Sequence, residues 1–278
     1  MKKFVILTIQ FLMMALLSSC IGSAQVQPTP SANPLIGKST FSGSTTMQPL
    51  VAQLTEVFHQ RHPQVVFDVA AGGSVVGIQA VHQGTVNIGM ASRALSAEEA
   101  KDIKVYTVAI DAIIIVVHPD NPVKSITLAQ LQDVYMGRIT NWQQLGGNDL
   151  AIMSVQRELS SGTRGVFDDL VLGNHQATAP KLTDVATAGD MAATVAGQSA
   201  AIGYVGFGNL SSSLQVLAIS GTIPTKESIQ NASYPLFRPL SFLTGPLSQP
   251  LANDFINFVL SPEGQSYVEK FGWVSISK

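Results

Sequence analysis

The 278-residue sequence predicts an α/β fold in which a mainly parallel sheet carries crossover helices. Three observations predict it. Short β-branched runs alternate with stretches of helical periodicity from residue 40 onward. The first three strand-to-helix turns all carry small polar residues, at Ser44-Thr45-Thr46, Gly73-Ser74 and Ser92-Arg93. Two apolar runs, over 105–117 and 234–240, break the alternation and read as strands that cross between lobes.

The N-terminus is of another kind. Met1-Lys2-Lys3 is a short basic start, residues 4–17 are almost wholly apolar, and Leu17-Ser18-Ser19-Cys20 sets small residues ahead of a cysteine. The apolar run is short for a membrane span and stands in signal-peptide order. Residues 1–19 are expected to be removed. Cys20 resembles the lipid-modified (palmitate-bearing) first residue of a bacterial lipoprotein. It is the sole cysteine, so no disulfide can form within the chain. Residues 20–38, rich in Ser, Gln, Pro and Ala, read as a flexible tether. The expected location is extracytoplasmic, lipid-anchored to the cell membrane, in the periplasm or on the outer face of the cell.

The remainder is long enough to bury a large core, as one domain or two lobes. Charged residues make up 12% of the sequence and hydrophobic residues 46%, which argues against disorder beyond the tether. Without Lys2 and Lys3 the formal charge falls from −2 to −4, so nucleic acid is not an expected partner. An anion would have to be bound by local donors.

Taken in order, Thr40-Phe41-Ser42-Gly43 is a short strand entering a loop. Leu50, Val51, Leu54, Val57 and Phe58 follow at helical spacing, with Pro49 suited to the first turn. His62-Pro63 ends that helix. Val65-Val66-Phe67-Asp68-Val69 is the second strand, and a helix spans 75–82. Asn87-Ile88-Gly89-Met90-Ala91 is the third strand. Ligands of open α/β sheets collect at the carboxyl ends of strands, where these polar turns must lie. The run 105–117 is extended, and its single charge, Asp111, marks a bend, a solvent-facing edge or a site. Helical signals return at 128–135, then a loop bearing Trp142 and a strand over 151–155. A strand over 200–205, the second crossing, a helix over 250–260 and a short helix over 262–271 complete the chain.

Arg157-Glu158-Leu159-Ser160-Ser161-Gly162-Thr163-Arg164 holds the densest chemistry. It precedes a helical pattern at Val166, Phe167, Leu170 and Val171. Free backbone N–H groups at a helix start, hydroxyl donors and a glycine make an anion cradle. Arg157 or Arg164 can clamp two oxygens at once. The same residues also suit a plain N-cap, and Arg93 and Arg164 can pair with Asp168, Asp169 or Glu158.

The ordered set of these segments resembles the phosphate-binding components of bacterial ABC phosphate importers. The resemblance rests on Gly43-Ser44-Thr45-Thr46-Met47-Gln48-Pro49-Leu50, Ala71-Gly72-Gly73-Ser74 with Gly77, and Asn87 to Arg93. It continues through Asn121-Pro122, Asn141-Trp142, the 157–164 octapeptide, Gly203-Tyr204-Val205 and Tyr234 to Leu240. It implies a two-lobed periplasmic binding protein (type II) with mixed, mainly parallel sheets and the ligand in the interlobe cleft. Lobe I would hold 39–115 and 236–278, and lobe II 116–235. The implied phosphate ligands are Ser44, Thr45, Thr46, Ser74, Ser92, Arg93, Arg157, Ser161, Gly162 and Thr163, with Arg157 as the bidentate clamp. Some relatives have a carboxylate at the third loop to accept the ligand's proton. Ser92 stands there in this chain, leaving its hydroxyl or Asp111 as acceptor; a structural place at the hinge suits Asp111 better than contact with the ligand.

The implied partners are inorganic phosphate and membrane permease subunits, the chain acting as a non-catalytic monomer without cofactor or metal. The alternatives are a receptor for sulfate or molybdate, a phosphate sensor on the same scaffold, or a phosphohydrolase using Ser161 or Thr163. The last lacks an adjacent activating base in the sequence. The five histidines show no metal-ligand spacing.

Overall fold

Most of the apolar runs and helical stripes become the strands and helices expected of them. The computed structural model describes residues 35–173 and 175–276, so the expected leader (1–19), Cys20 and the start of the tether lie outside the described residues. Strand β1 (Gly37–Gly43) leads to helix α1 (Gln48–Arg61), β2 (Val65–Ala70), α2 (Ser74–His82) and β3 (Ile88–Ala91). The long strand β4 (Lys104–Val117) follows, then β5 (Ser125–Ile126), α3 (Leu128–Tyr135), β6 (Met153–Arg157) and α4 (Gly162–Phe167). Next come β7 (Leu182–Val185), α5 (Ala188–Gly197), β8 (Ala201–Gly206), β9 (Gln215–Val216), β10 (Ala218–Ile219) and α6 (Lys226–Gln230). The chain finishes with β11 (Phe237–Thr244), α7 (Pro250–Leu260) and α8 (Pro262–Lys270).

The main sheet is mixed, in the order β2-β1-β3-β11-β4-β8-β6-β7, with β9 also on β4. Strand β1 is parallel to β2 and β3, and β6 is parallel to β7 and β8. The antiparallel pairings involve β4 and β11, the two crossing strands. Residues 104–112 of β4 pair with β11, and residues 113–117 pair with β8. One strand thus serves two lobes. Its residues from Ala112 to Val117 are all buried, which explains a continuous apolar run where a half-exposed strand would alternate.

Two apolar cores flank the crossing. The first gathers Phe41, Leu50, Leu54, Phe58, Phe242, Phe255 and Trp273. The second gathers Ile113, Ile115, Tyr135, Trp142, Val155, Phe167, Tyr204 and Tyr234. In the first, α1 starts with Pro49 in its opening turn and buries Leu50, Val51, Leu54 and Phe58 against the sheet. In the second, capping boxes fix the helix starts, Thr127 with Gln130 before α3 and Thr187 with Asp190 before α5. Trp142 packs inside this core and donates its indole N–H to the Ala200 carbonyl at 3.0 Å.

Several expectations change. The tether was expected to reach Lys38, yet Gly37 and Lys38 already pair with Val65 and Val66, because Leu35 and the strand behind it pack on the first core. Strand β6 runs two residues later than expected and ends on Arg157 itself. The helix after the cradle is α4 followed by a π-type turn, Asp168–Leu172. Asp111 makes neither a bend nor an edge: it is buried and faces Arg238 across the two crossing strands. Strand β7 and helix α5 went unread because β7 is an edge strand with a half-exposed, mixed pattern.

The ring of Phe255 lies 5.1–5.9 Å from those of Phe41, Phe58, Phe67 and Phe242. Phe255→Ala is therefore expected to lower the unfolding free energy by about 3–5 kcal/mol, measured by urea denaturation. A loss below about 1 kcal/mol would mean that this cluster does not hold the first lobe together.

Candidate anion-binding site

Strand ends build the site. At the carboxyl end of β1, Ser44, Thr45 and Thr46 are buried just ahead of α1, whose start has no side-chain cap. At the end of β2, Gly73 takes a φ of 86° and turns the chain into α2, again without a side-chain cap. First-turn amides of such helices have no intrahelical acceptor and are left to other partners. At the end of β3 comes Ser92, and at the end of β6 comes Arg157, both buried. The α4 start adds Ser161, Gly162 and Thr163, also buried.

The structure joins these residues across the cleft. Arg157 Nη2 donates to Thr45 Oγ1 at 3.0 Å and to the Ala186 carbonyl at 2.7 Å. The Ala188 N–H also donates to Thr45 Oγ1, at 3.2 Å, which leaves the threonine's own O–H as a free donor. Thr46 and Thr163 hydroxyls lie 3.0 Å apart, from opposite lobes. Ser74 Oγ accepts from the Ser92 N–H at 3.0 Å and lies 3.3 Å from Ser92 Oγ. Ser161 Oγ accepts from the Arg164 N–H at 3.2 Å, so its proton too remains to be donated. Ser44 is buried at the head of the same loop, its backbone N–H bonded to the Met90 carbonyl at 3.0 Å.

The electrostatics are unusual at one point. The sequence has six arginines, and five sit within 4.0 Å of a carboxylate. Arg157 has no such partner among the described residues, although it is only 2% exposed and its Nε bonds to nothing. Burial lowers its pKa to about 10, and the nearby charge of Arg238 pushes in the same direction. A buried cation without a counter-charge is costly unless a guest supplies the negative charge.

Other residues hold Arg157 in place. Its backbone N–H donates to the Tyr204 hydroxyl at 3.0 Å, and the Tyr204 ring stacks on Phe167 with centroids 4.3 Å apart. Arg164 Nη1 donates to the Arg157 carbonyl at 2.7 Å and pairs with Asp168 and Asp184, so it braces the turn. Asn209 donates to the Thr46 carbonyl at 3.3 Å. Local reading missed Ala186, Ala188 and Asn209, which arrive from distant segments. Tyr204 was named only within Gly203-Tyr204-Val205, one of the segments that carry the resemblance.

Two expected residues are not brought into the cluster. Arg93 forms a two-pronged pair with Glu99, at 2.6 and 2.7 Å, and lines a neighbouring groove of about 750 Å³. That pairing holds the Glu99 carboxyl down at about 2. Its partner is thus neither Asp168, Asp169 nor Glu158. Asp111 gives Oδ2 to Arg238, at 2.8 and 3.0 Å, and Oδ1 to the Phe207 N–H at 2.8 Å, so both oxygens are engaged. No cluster of metal-ligating side chains occurs among the described residues.

Lobe contact leaves no room at Gly162, where an added Cβ would lie 2.2 Å from Ser74 Oγ and 3.0 Å from Ser92 Oγ. Those atoms belong to the facing loops, not to α4. Gly162→Ala is therefore expected to force the facing loops apart while each lobe stays folded, so its melting temperature should change little. Its affinity for inorganic phosphate should fall by about tenfold or more in calorimetry. Unaltered affinity would show that close approach at this glycine is not needed.

Comparison with known proteins agrees with this architecture. The model of the PBP superfamily domain matches residues 28–263. The phosphate-binding protein PstS of Bacillus subtilis is 31% identical over 246 residues, spanning 87% of this chain and 81% of that protein. A Clostridium perfringens substrate-binding protein, solved with bound phosphate, superposes with a TM-score of 0.82 at 35% identity, covering 87% of this chain and all (100%) of the other. An ABC-type phosphate transport receptor from Vibrio cholerae gives 0.70 at 32% identity, covering 86% and 100%. With an α/β, two-lobed fold and matches along most of its length, the chain belongs to the PBP superfamily, in the family of PstS phosphate-binding proteins.

Proposed function

We propose that the chain is an extracytoplasmic receptor that captures inorganic phosphate between its lobes and delivers it to an ABC importer. The observation that carries this reading is Arg157, a buried guanidinium without a carboxylate, set among hydroxyls that retain protons to donate. The relatives' names and the phosphate in the Clostridium perfringens protein support phosphate as the anion. On this reading Arg157 clamps phosphate oxygens. Ser44, Thr45, Thr46 and Ser74 donate from lobe I (39–115 and 236–278), and Ser161, Gly162 and Thr163 from lobe II (116–235). Closure excludes water, and in that drier site each donated bond gains strength. The closed shape is the one a permease would recognise, so ligand drives a population shift.

Binding fits the cluster better than turnover. Ser161 Oγ accepts from the Arg164 N–H and Thr163 Oγ1 faces Thr46, and neither bonds a histidine or carboxylate that could activate it among the described residues. With both Asp111 oxygens engaged, the Ser92 hydroxyl is the better candidate to accept the ligand's proton. The leader-like residues 1–19 and Cys20 support export and a lipid anchor, with the tether placing a monomeric receptor beside the membrane.

Arg157→Ala should lose about 2–5 kcal/mol of phosphate binding in titration calorimetry, the usual cost of truncating one side of a buried charged pair. Affinity equal to wild type would refute the assignment. Competition between phosphate and sulfate across several pH values separates the two anions, because phosphate alone changes protonation near neutrality; indifference to pH together with stronger sulfate binding would favour a sulfate receptor.

A further inference from the structure

Beneath the cluster lies a second buried guanidinium, and the two crossing strands carry it. Arg238 of β11 and Asp111 of β4 occupy facing positions and are 1% and 0% exposed. Arg238 uses Nε and Nη2 on Asp111 Oδ2 and spends Nη1 on the Ser92 carbonyl, at 3.1 Å. Asp111 Oδ1 accepts the Phe207 N–H from the turn that follows β8. The pair therefore grips the end of β3 on one side and the end of β8 on the other. Space around it is tight: a Cβ added at Gly206 would lie 2.7 Å from Asp111 Oδ2 and 2.8 Å from Thr46 Cγ2. Asp111 thus stands close behind a hydroxyl residue of the anion site.

We propose that the Asp111–Arg238 pair is a positioning element of the anion site: it holds the Ser92 turn from the hinge. The proposal rests on the phosphate-receptor reading. Arg238 reaches Ser92 through the backbone, which any side chain at position 92 would present alike, and the same turn carries the Ser92 N–H that donates to Ser74 Oγ.

The test uses the full-length chain and inorganic phosphate. Asp111→Asn keeps the shape and removes the charge. It takes away the charge that anchors Arg238, so the hold on the Ser92 turn should loosen and phosphate should bind about tenfold more weakly than to wild type in titration calorimetry on the folded protein. Affinity equal to or tighter than wild type overturns the proposal. Should Asp111→Asn fail to fold, Arg238→Lys decides. It keeps a cation opposite Asp111 but cannot also reach the Ser92 carbonyl, so phosphate should bind about tenfold more weakly at a near-wild-type Tm. Unchanged affinity, or weakening only in step with loss of folded protein, overturns it. A wild-type chain whose Tm ignores both phosphate and sulfate would instead sink the receptor reading, a result distinct from either variant's.

Discussion

Arg157 carries a charge that is buried without a carboxylate partner among the described residues, and much of the surrounding architecture follows from that. A guanidinium removed from water must recover its solvation from neighbours or from a guest. Thr45 and the Ala186 carbonyl recover part of it through one nitrogen, and Nε recovers none. The remainder is what an oxyanion can supply through two parallel N–H···O bonds. Such a group is useful only if it cannot turn aside toward a carboxylate. Its position at the last residue of a central strand, its N–H bonded to Tyr204 and its carbonyl to Arg164, fixes the origin of the side chain. Arg164, the second arginine of the octapeptide, spends its own charge on Asp168 and Asp184.

Closure is a matter of small tolerances. Thr45 receives bonds from Arg157 and from the start of α5, both in the opposite lobe. The Val75 N–H reaches the Ser160 carbonyl at 3.1 Å, and Gly73 lies so close to Ser160 that a Cβ would sit 2.5 Å from its carbonyl oxygen. Hydrogen bonds of this length lose most of their strength within an ångström. The crossing strands must then deliver each lobe to the other with that accuracy, and a pair of antiparallel strands with buried side chains flexes as a unit where a loop would not. The irregularity in the β4–β11 register between Leu240 and Ser241 lies inside the first core, which holds Val108, Ala109, Leu240 and Phe242, and the strands pass to the second core beyond it, between Ala109 and Ala112.

Most of the fold was legible because each element has a local cause. Pro49 and the Leu50/Leu54/Phe58 stripe announce α1, and the unbroken apolar run of β4 announces a strand buried on both faces. The polar strand-end turns were legible for the same reason, since a short parallel strand leaves no other place for Ser, Thr and Gly to collect. Partner choice was legible only in part. Arg164 meets Asp168, one of the acids expected for it, and Asp184 as well, whereas Arg93 turns to Glu99, which local reading did not name. Asp111 looked like a candidate acceptor because its carboxylate stood alone in an apolar run. Its counter-charge, Arg238, is 127 residues away, and only the antiparallel register of two crossing strands brings them face to face.

The overall charge sharpens the point about locality. A chain with a formal charge of −2 offers no general attraction to anions and sets a weak opposing field at long range. Attraction must begin within a few ångströms, where fixed dipoles and one uncompensated guanidinium outweigh screened, distant carboxylates. Hydroxyls suit that task better than further arginines. They donate without adding charge, so among the described residues the cleft carries one buried cation without a carboxylate partner, where a more basic site would carry several that repel each other and resist closing. A hydroxyl can also accept, which lets the same residues meet a ligand oxygen that bears a proton. The chemistry of the cleft is therefore a compromise between two demands: enough positive charge to strip an anion of water, and little enough that the lobes can close around it.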